Sequence, residues 1–316
     1  MIKKISINKI LVTTSALLAV FLIYLVPNNK YEFKENLKYV DENVVTSPIY
    51  LLNKHDLLAR TNVVVTEKNI ELKAKELLET LIIEGKKENK IPNGFKGIIP
   101  NNTKIISVKY DNSILKVDFS KELLDVSISN EEKVIEALVY TLTSIEEVKG
   151  VIIYVEGDIL TKLPQTKINL PSTLTRKFGI NKEYNINNLN KINQVTIYYL
   201  DKYNDEIYYV PVTKYLNDDR EKIEIIVDEL ASSSLYNTNL MSFLNNNTKL
   251  LDVSTENEIM SLKFNDYIFD DVDEQKILEE VVYTICLSIY DNYDVKEVIF
   301  NVEDREIYKS VLKTIE

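Results

Sequence analysis

Apolar and polar positions alternate with two periods along this chain, and each period returns in a second place. Ala74, Leu77, Leu78, Leu81 and Ile82 fall three and four residues apart, with Lys73, Lys75, Glu76 and Glu79 between them. That spacing predicts an amphipathic helix over residues 70–84. Before it, residues 48–52 and 61–66 read as two strands around a polar loop. After it, residues 104–110 and 114–119 predict a hairpin turning at Asp111-Asn112. Ser129 followed by Glu132 has the spacing of a capping box. The helix it opens is expected to bury Val134, Ala137, Leu138, Thr141, Leu142 and Ile145, and residues 150–155 form a last apolar strand. The order is ββαββαβ, an α+β pattern.

The same order follows again. Asn101-Asn102-Thr103-Lys104-Ile105-Ile106-Ser107-Val108 is echoed 145 positions later by Asn246-Asn247-Thr248-Lys249-Leu250-Leu251-Asp252-Val253. Val139-Tyr140-Thr141-Leu142 returns as Val282-Tyr283-Thr284-Ile285. Residues 195–200 and 207–212 are strands, and Ile223, Ile226, Val227 and Leu230 mark a helix. Residues 248–255 and 259–264 form a hairpin, Leu278, Val281, Val282, Ile285 and Ile289 a helix, and residues 296–302 a strand. A period this long is a whole domain, so two copies of one domain are expected, each with its own core.

Outside the copies, Lys3, Lys4 and Lys9 precede an uncharged run over residues 10–26. Its 17 residues would reach about 26 Å as a helix, at the low end for spanning a bilayer. The lysines keep the N-terminus cytoplasmic, which places everything after the run outside. The exit Tyr24-Leu25-Val26-Pro27-Asn28 lacks the small residues of a cleavage site, so an uncleaved, single-pass signal-anchor is expected. The expected organisation is a basic N-terminus (1–9), a transmembrane helix (10–26), a tether (27–46), a first domain (47–157), a connector (158–194), a second domain (195–308) and a tail (309–316). The connector has no sustained period and is expected to be extended or turned.

Composition narrows the chemistry. One cysteine, Cys286, and one histidine, His55, leave no disulfide, no cysteine-rich metal site and no nucleophile–histidine constellation. With 6 glycines, none between residues 195 and 308, no phosphate-cradling loop can be written. Neither a catalytic residue, a cofactor nor a metal ligand is expected. The acids Asp266, Asp270, Asp271, Asp273 and Glu274 lack the calcium-loop pattern and read as a helix cap at Asp273 among solvated neighbours. Net charge is −11, and residues 195–308 carry 25 acidic against 9 basic side chains. Such a surface repels phosphate backbones, so no nucleic-acid partner is expected.

These residues resemble the GerM domain family of sporulation and germination proteins. The resemblance rests on Ile49-Tyr50-Leu51-Leu52 and Ile197-Tyr198-Tyr199-Leu200, on Ile99-Pro100-Asn101-Asn102-Thr103-Lys104, on Val117-Asp118-Phe119-Ser120, and on Val139-Tyr140-Thr141-Leu142. The run Leu174-Thr175-Arg176-Lys177-Phe178-Gly179-Ile180-Asn181 is similar to the inter-repeat segment of tandem members. It implies a fold similar to the ring-building motif of secretion and sporulation assemblies, and a non-enzymatic scaffold role outside the membrane with protein partners. The other reading is a protein that binds or modifies the cell wall.

Two surfaces are candidates for partners. Tyr198, Tyr199, Tyr203, Tyr208, Tyr209 and Tyr215 crowd the first hairpin of the second copy, and alternation would place some rings outside. Lys86, Lys87 and Lys90 form a basic loop. Facing the acidic second copy of another molecule, that loop permits head-to-tail self-association.

Overall fold

The computed structural model describes residues 45–232, 239–303 and 305–311. The expected anchor (10–26), nearly all of the tether and the end of the tail lie outside the described residues. Among the described residues no helix is long and apolar enough to cross a membrane.

Each repeat is built from a hairpin, a helix, a second hairpin, a second helix and a final strand pair. In the first these are β1 (Thr46–Leu52), β2 (Leu58–Val64), α1 (Ile70–Leu81), β3 (Ile105–Asp111), β4 (Ile114–Phe119), α2 (Glu131–Leu142), β5 (Gly150–Val155) and β6 (Asp158–Ile159). The connector supplies β7 (Glu183–Asn185). The second repeat has β8 (Ile192–Tyr203), β9 (Glu206–Asn217), α3 (Lys222–Leu230), β10 (Leu250–Glu256), β11 (Ile259–Phe264), α4 (Glu279–Asn292), β12 (Glu297–Val302) and β13 (Arg305–Val311). The extra strands β6 and β13 were not expected, and β13 runs past residue 308.

Local chemistry sets the ends of these elements. Asn69 starts α1, its side chain accepting from the amides of Glu71 and Leu72. The helix stops at Leu81 rather than residue 84, because Ile82 turns extended and bridges to Ile99. The turn of β3–β4 is Asn112-Ser113, not Asp111-Asn112: both residues have positive φ, 49° and 63°. Asn257 and Glu258 repeat this at 51° and 65°. That backbone fits the right-handed twist of the strands it joins. The capping box is absent: α2 starts at Glu131, no side chain caps it, and the Ser129 hydroxyl meets that of Ser127. Asp273 does not cap α4 either, which begins at Glu279; instead Asp271 accepts the amides of Asp273 and Glu274.

Three sheets follow. β3-β4-β5-β6 and β10-β11-β12-β13 are the four-stranded sheets of the two repeats, with β4–β5 and β11–β12 parallel. The parallel pairs need a crossover, which α2 and α4 provide. The third sheet crosses the repeats: β2 pairs with β9 at Arg60 and Tyr209, giving β1-β2-β9, with β8 and β7 also on β9. Two apolar cores lie beneath, one per repeat. The first core takes in Leu163, Leu170, Leu174 and Ile180 from the connector. The second takes in Ala59 from the first repeat, and Phe95 packs on both. The first core thus reaches past residue 157 into the connector, and Ala59 and Phe95 join the repeats where they meet.

Candidate functional site: the seam between the repeats

Where the repeats meet, equivalent residues meet each other. The Tyr50 and Tyr198 hydroxyls are 2.8 Å apart, the Asn53 amide donates to Asp201 at 3.1 Å, and the Lys54 ammonium donates to the Lys202 carbonyl at 2.9 Å. Each pair is separated by 148 positions, the same offset that relates the first hairpins. The contact therefore has the self-complementary character of a two-fold dimer inside one chain. The internal frame is alike, though in the second repeat it lies one turn beyond Thr284, the echo of Thr141: Tyr50 donates its amide to the Thr141 hydroxyl on α2, and Tyr198 donates its amide to the Ser288 hydroxyl on α4.

Arg176, from the connector, fills the centre. Its guanidinium donates to Asp291 on α4 at 2.5 Å, to the Ser144 hydroxyl at 2.9 Å and to the Thr143 hydroxyl at 3.1 Å. It lies over the rings of Tyr140, Tyr290 and Tyr50, 4.8, 5.4 and 5.6 Å from their centroids. The Tyr198 hydroxyl takes the second Asp291 oxygen at 2.9 Å. The Asp291 side chain has no exposed surface. Burial pushes its carboxyl above the ordinary value, and Arg176 and Tyr198 oppose that push. A planar, always-charged fork suits such a site, because it can bond both repeats while stacking on their tyrosines.

A second bridge lies along the connector. The Asn181 side chain accepts from the Leu58 amide and donates to the carbonyls of Leu58 and Pro211, so it ties β2 to β9. Its own amide goes to Glu136 on α2 at 2.9 Å. Burial pushes the Glu136 carboxyl up to about 7, against the pull of Lys182 3.5 Å away. His55 joins at the hairpin tips, its ring nitrogen 3.0 Å from Asp201, which also accepts from the Tyr208 hydroxyl at 2.7 Å.

The candidate surfaces look different in this setting. Tyr198 and Tyr199 are 1% exposed and Tyr208 6%, so these rings are core and seam rather than surface. Tyr209 is half-buried against Tyr283. Residues 195–201 are buried at every position, which means both faces of β8 are covered. Of the basic loop, Lys86 is exposed, whereas Lys90 is 2.6 Å and Lys87 3.8 Å from Glu76. Glu76, itself buried, thus pairs with two of the three lysines of that loop. A surface groove of about 360 Å³ near β7 and α3 is lined by Asn185, Leu216, Arg220, Asp228 and Glu229. Its charged groups are paired with one another, Arg220 with Asp228, and Glu229 with Lys214.

Glu76 gives a pH prediction. Burial raises its carboxyl, but Lys90, the Thr66 hydroxyl and the amides of Thr66 and Glu67 outweigh this and hold it at about 2, from 4.5 ordinarily. A depressed folded pKa contributes stability that is complete above 4.5 and is lost as pH falls toward about 2. Glu76→Gln is expected to cost about 2 kcal/mol at pH 7 and much less at pH 3. Urea unfolding at both values checks this; an equal cost at both would refute it.

Fold and seam together define a tandem α+β protein whose two repeats form one pseudo-symmetric body. The chain belongs to the Germane family, described as sporulation and spore germination, whose model matches residues 48–161 and again residues 196–308. It is 29% identical over 269 residues to the spore germination protein GerM of Bacillus subtilis (strain 168), covering 83% of this chain and 73% of that protein. Its structure is similar to that of the tandem GerMN domains of the sporulation protein GerM from Bacillus subtilis, with a TM-score of 0.74 and 28% identity, covering 83% of this chain and 92% of that one.

Proposed function

We propose that the chain is a non-enzymatic, extracytoplasmic assembly protein of sporulation and spore germination, held at a membrane by residues 10–26. The observation that carries this reading is the seam. A buried arginine and paired tyrosines fix two like repeats in one orientation, as a scaffold requires and as flexibly tethered domains do not provide. Family membership supplies the setting, and the lysine-flanked apolar run supplies the attachment.

Cross-linking in sporulating cells followed by co-isolation of the full chain tests the reading. Membrane-complex proteins are the expected catch, and the isolated chain should retain residues 1–26. Recovery of glycan strands in their place would transfer the protein to the cell wall, and a chain starting after Pro27 would remove the anchor.

A further inference from the structure

The two repeats serve as controls for each other at one sheet edge. In the first, β3 is the edge strand and α1 packs alongside it. Asp111 and Ile114 close the two-residue turn, so Asp111 and Lys109 bond inward while the amides of Val108 and Tyr110 point away from β4. The Tyr110 amide is satisfied by the Glu71 carboxylate, at 2.9 Å, from the first turn of α1. In the second repeat, Glu256 and Ile259 close the equivalent turn, and the amides of Val253 and Thr255 point away from β11.

Among the described residues no side chain is seen to cap them. Aligned on the last core leucines, Leu81 and Leu230, Glu71 corresponds to Arg220, and α3 starts only at Lys222. An arginine offers no acceptor, and this one is bound to Asp218 and Asp228. Among the described residues α3 does not pack along β10 as α1 does along β3. Tyr110 is accordingly half-buried while its counterpart Thr255 is exposed. A bulge between Leu250 and Asp252 leaves Leu251 56% exposed, as the matching bulge of β3 leaves Ile106 52% exposed, so the repeats differ here in the capped amide and not in the bulge.

Charge decides what this edge can accept. Asp252 and Glu256 on β10 are exposed, and Glu221 lies before α3 in the place of a helical turn. A second copy would bring the same acidic edge and be repelled. We propose that the open edge of β10 takes, as an added strand, an extended segment of a partner protein with lysine or arginine at alternate positions. Main-chain bonds to Val253 and Thr255 would hold it, its basic side chains would meet Asp252 and Glu256, and one apolar residue would cover Leu251. This deepens the assembly reading and rests on it for the existence of a partner, though the edge is tested separately.

The probe is an eight-residue peptide alternating lysine and valine, added to the full chain in mild detergent and followed by hydrogen exchange. Exchange is expected to slow over residues 249–258 and to stay unchanged over residues 104–113. Binding is expected to weaken with salt and to fall at least about tenfold when alternate peptide amides are N-methylated, since strand addition needs them. Thr255→Pro should abolish it, and the peptide-side N-methyl control stands even if that variant misfolds. Equal slowing in both repeats, no slowing at β10, or indifference to N-methylation would overturn the proposal. Cellular co-isolation could still succeed in that event, so the two readings fail separately.

Discussion

Arg176→Ala is expected to cost about 3–5 kcal/mol, the range for breaking a buried ion pair from one side. Asp291 would remain with no exposed surface and without the cation bonded to it, and the Thr143 and Ser144 hydroxyls would lose a donor. Total stabilities run to about 5–15 kcal/mol, so the variant should lose a large fraction of the total. Asp291→Ala should cost as much, because it strands the guanidinium in the same place. The double variant should cost clearly less than the sum, by about 2 kcal/mol or more, since each single change leaves the other charge unpaired. Urea unfolding of the four proteins measures this. Additive costs would mean that Arg176 acts through its stacking on the tyrosines rather than through Asp291.

Asn181→Ala is the second large effect, at about 3 kcal/mol, because three buried backbone groups lose their partner and none is near water. The loss falls on the junction of β2 and β9, where the strands themselves exchange only the Arg60–Tyr209 pairing. Amide exchange at Leu58, whose partner is the Asn181 oxygen at 2.9 Å, should accelerate more than exchange in β4 or β11. Uniform acceleration would show global destabilisation with no local role for the side chain.

The sequence shows the elements well and the seam poorly, for physical reasons. Helix and hairpin positions follow from period and turn residues, which are local. The burial of Tyr198 and Tyr199 is not legible in the sequence because alternation distinguishes faces only when one face is wet, and residues 195–201 of β8 are dry on both. Lys87 and Lys90 read as a solvated loop because their partner, Glu76, falls at a helical position that periodicity assigns to the outside, yet it is buried. Arg176 and Asn181 stand in the very run that resembles the inter-repeat segment, but their partners lie up to 126 and 123 positions away. No local pattern carries such contacts. The offset of 148 shared by Tyr50–Tyr198 and Asn53–Asp201 is visible in the repeat alignment; what it lacks is any sign that equivalent residues touch.

The seam is expected to make the two repeats one cooperative unit. Pulsed hydrogen exchange along a urea titration of the full chain tests it most directly, with β4 (Ile114–Phe119) reporting on the first repeat and β11 (Ile259–Phe264) on the second. Both strands are expected to lose protection at the same urea concentration, and Arg176→Ala is expected to separate them. Two well-separated midpoints in the unaltered chain would contradict it.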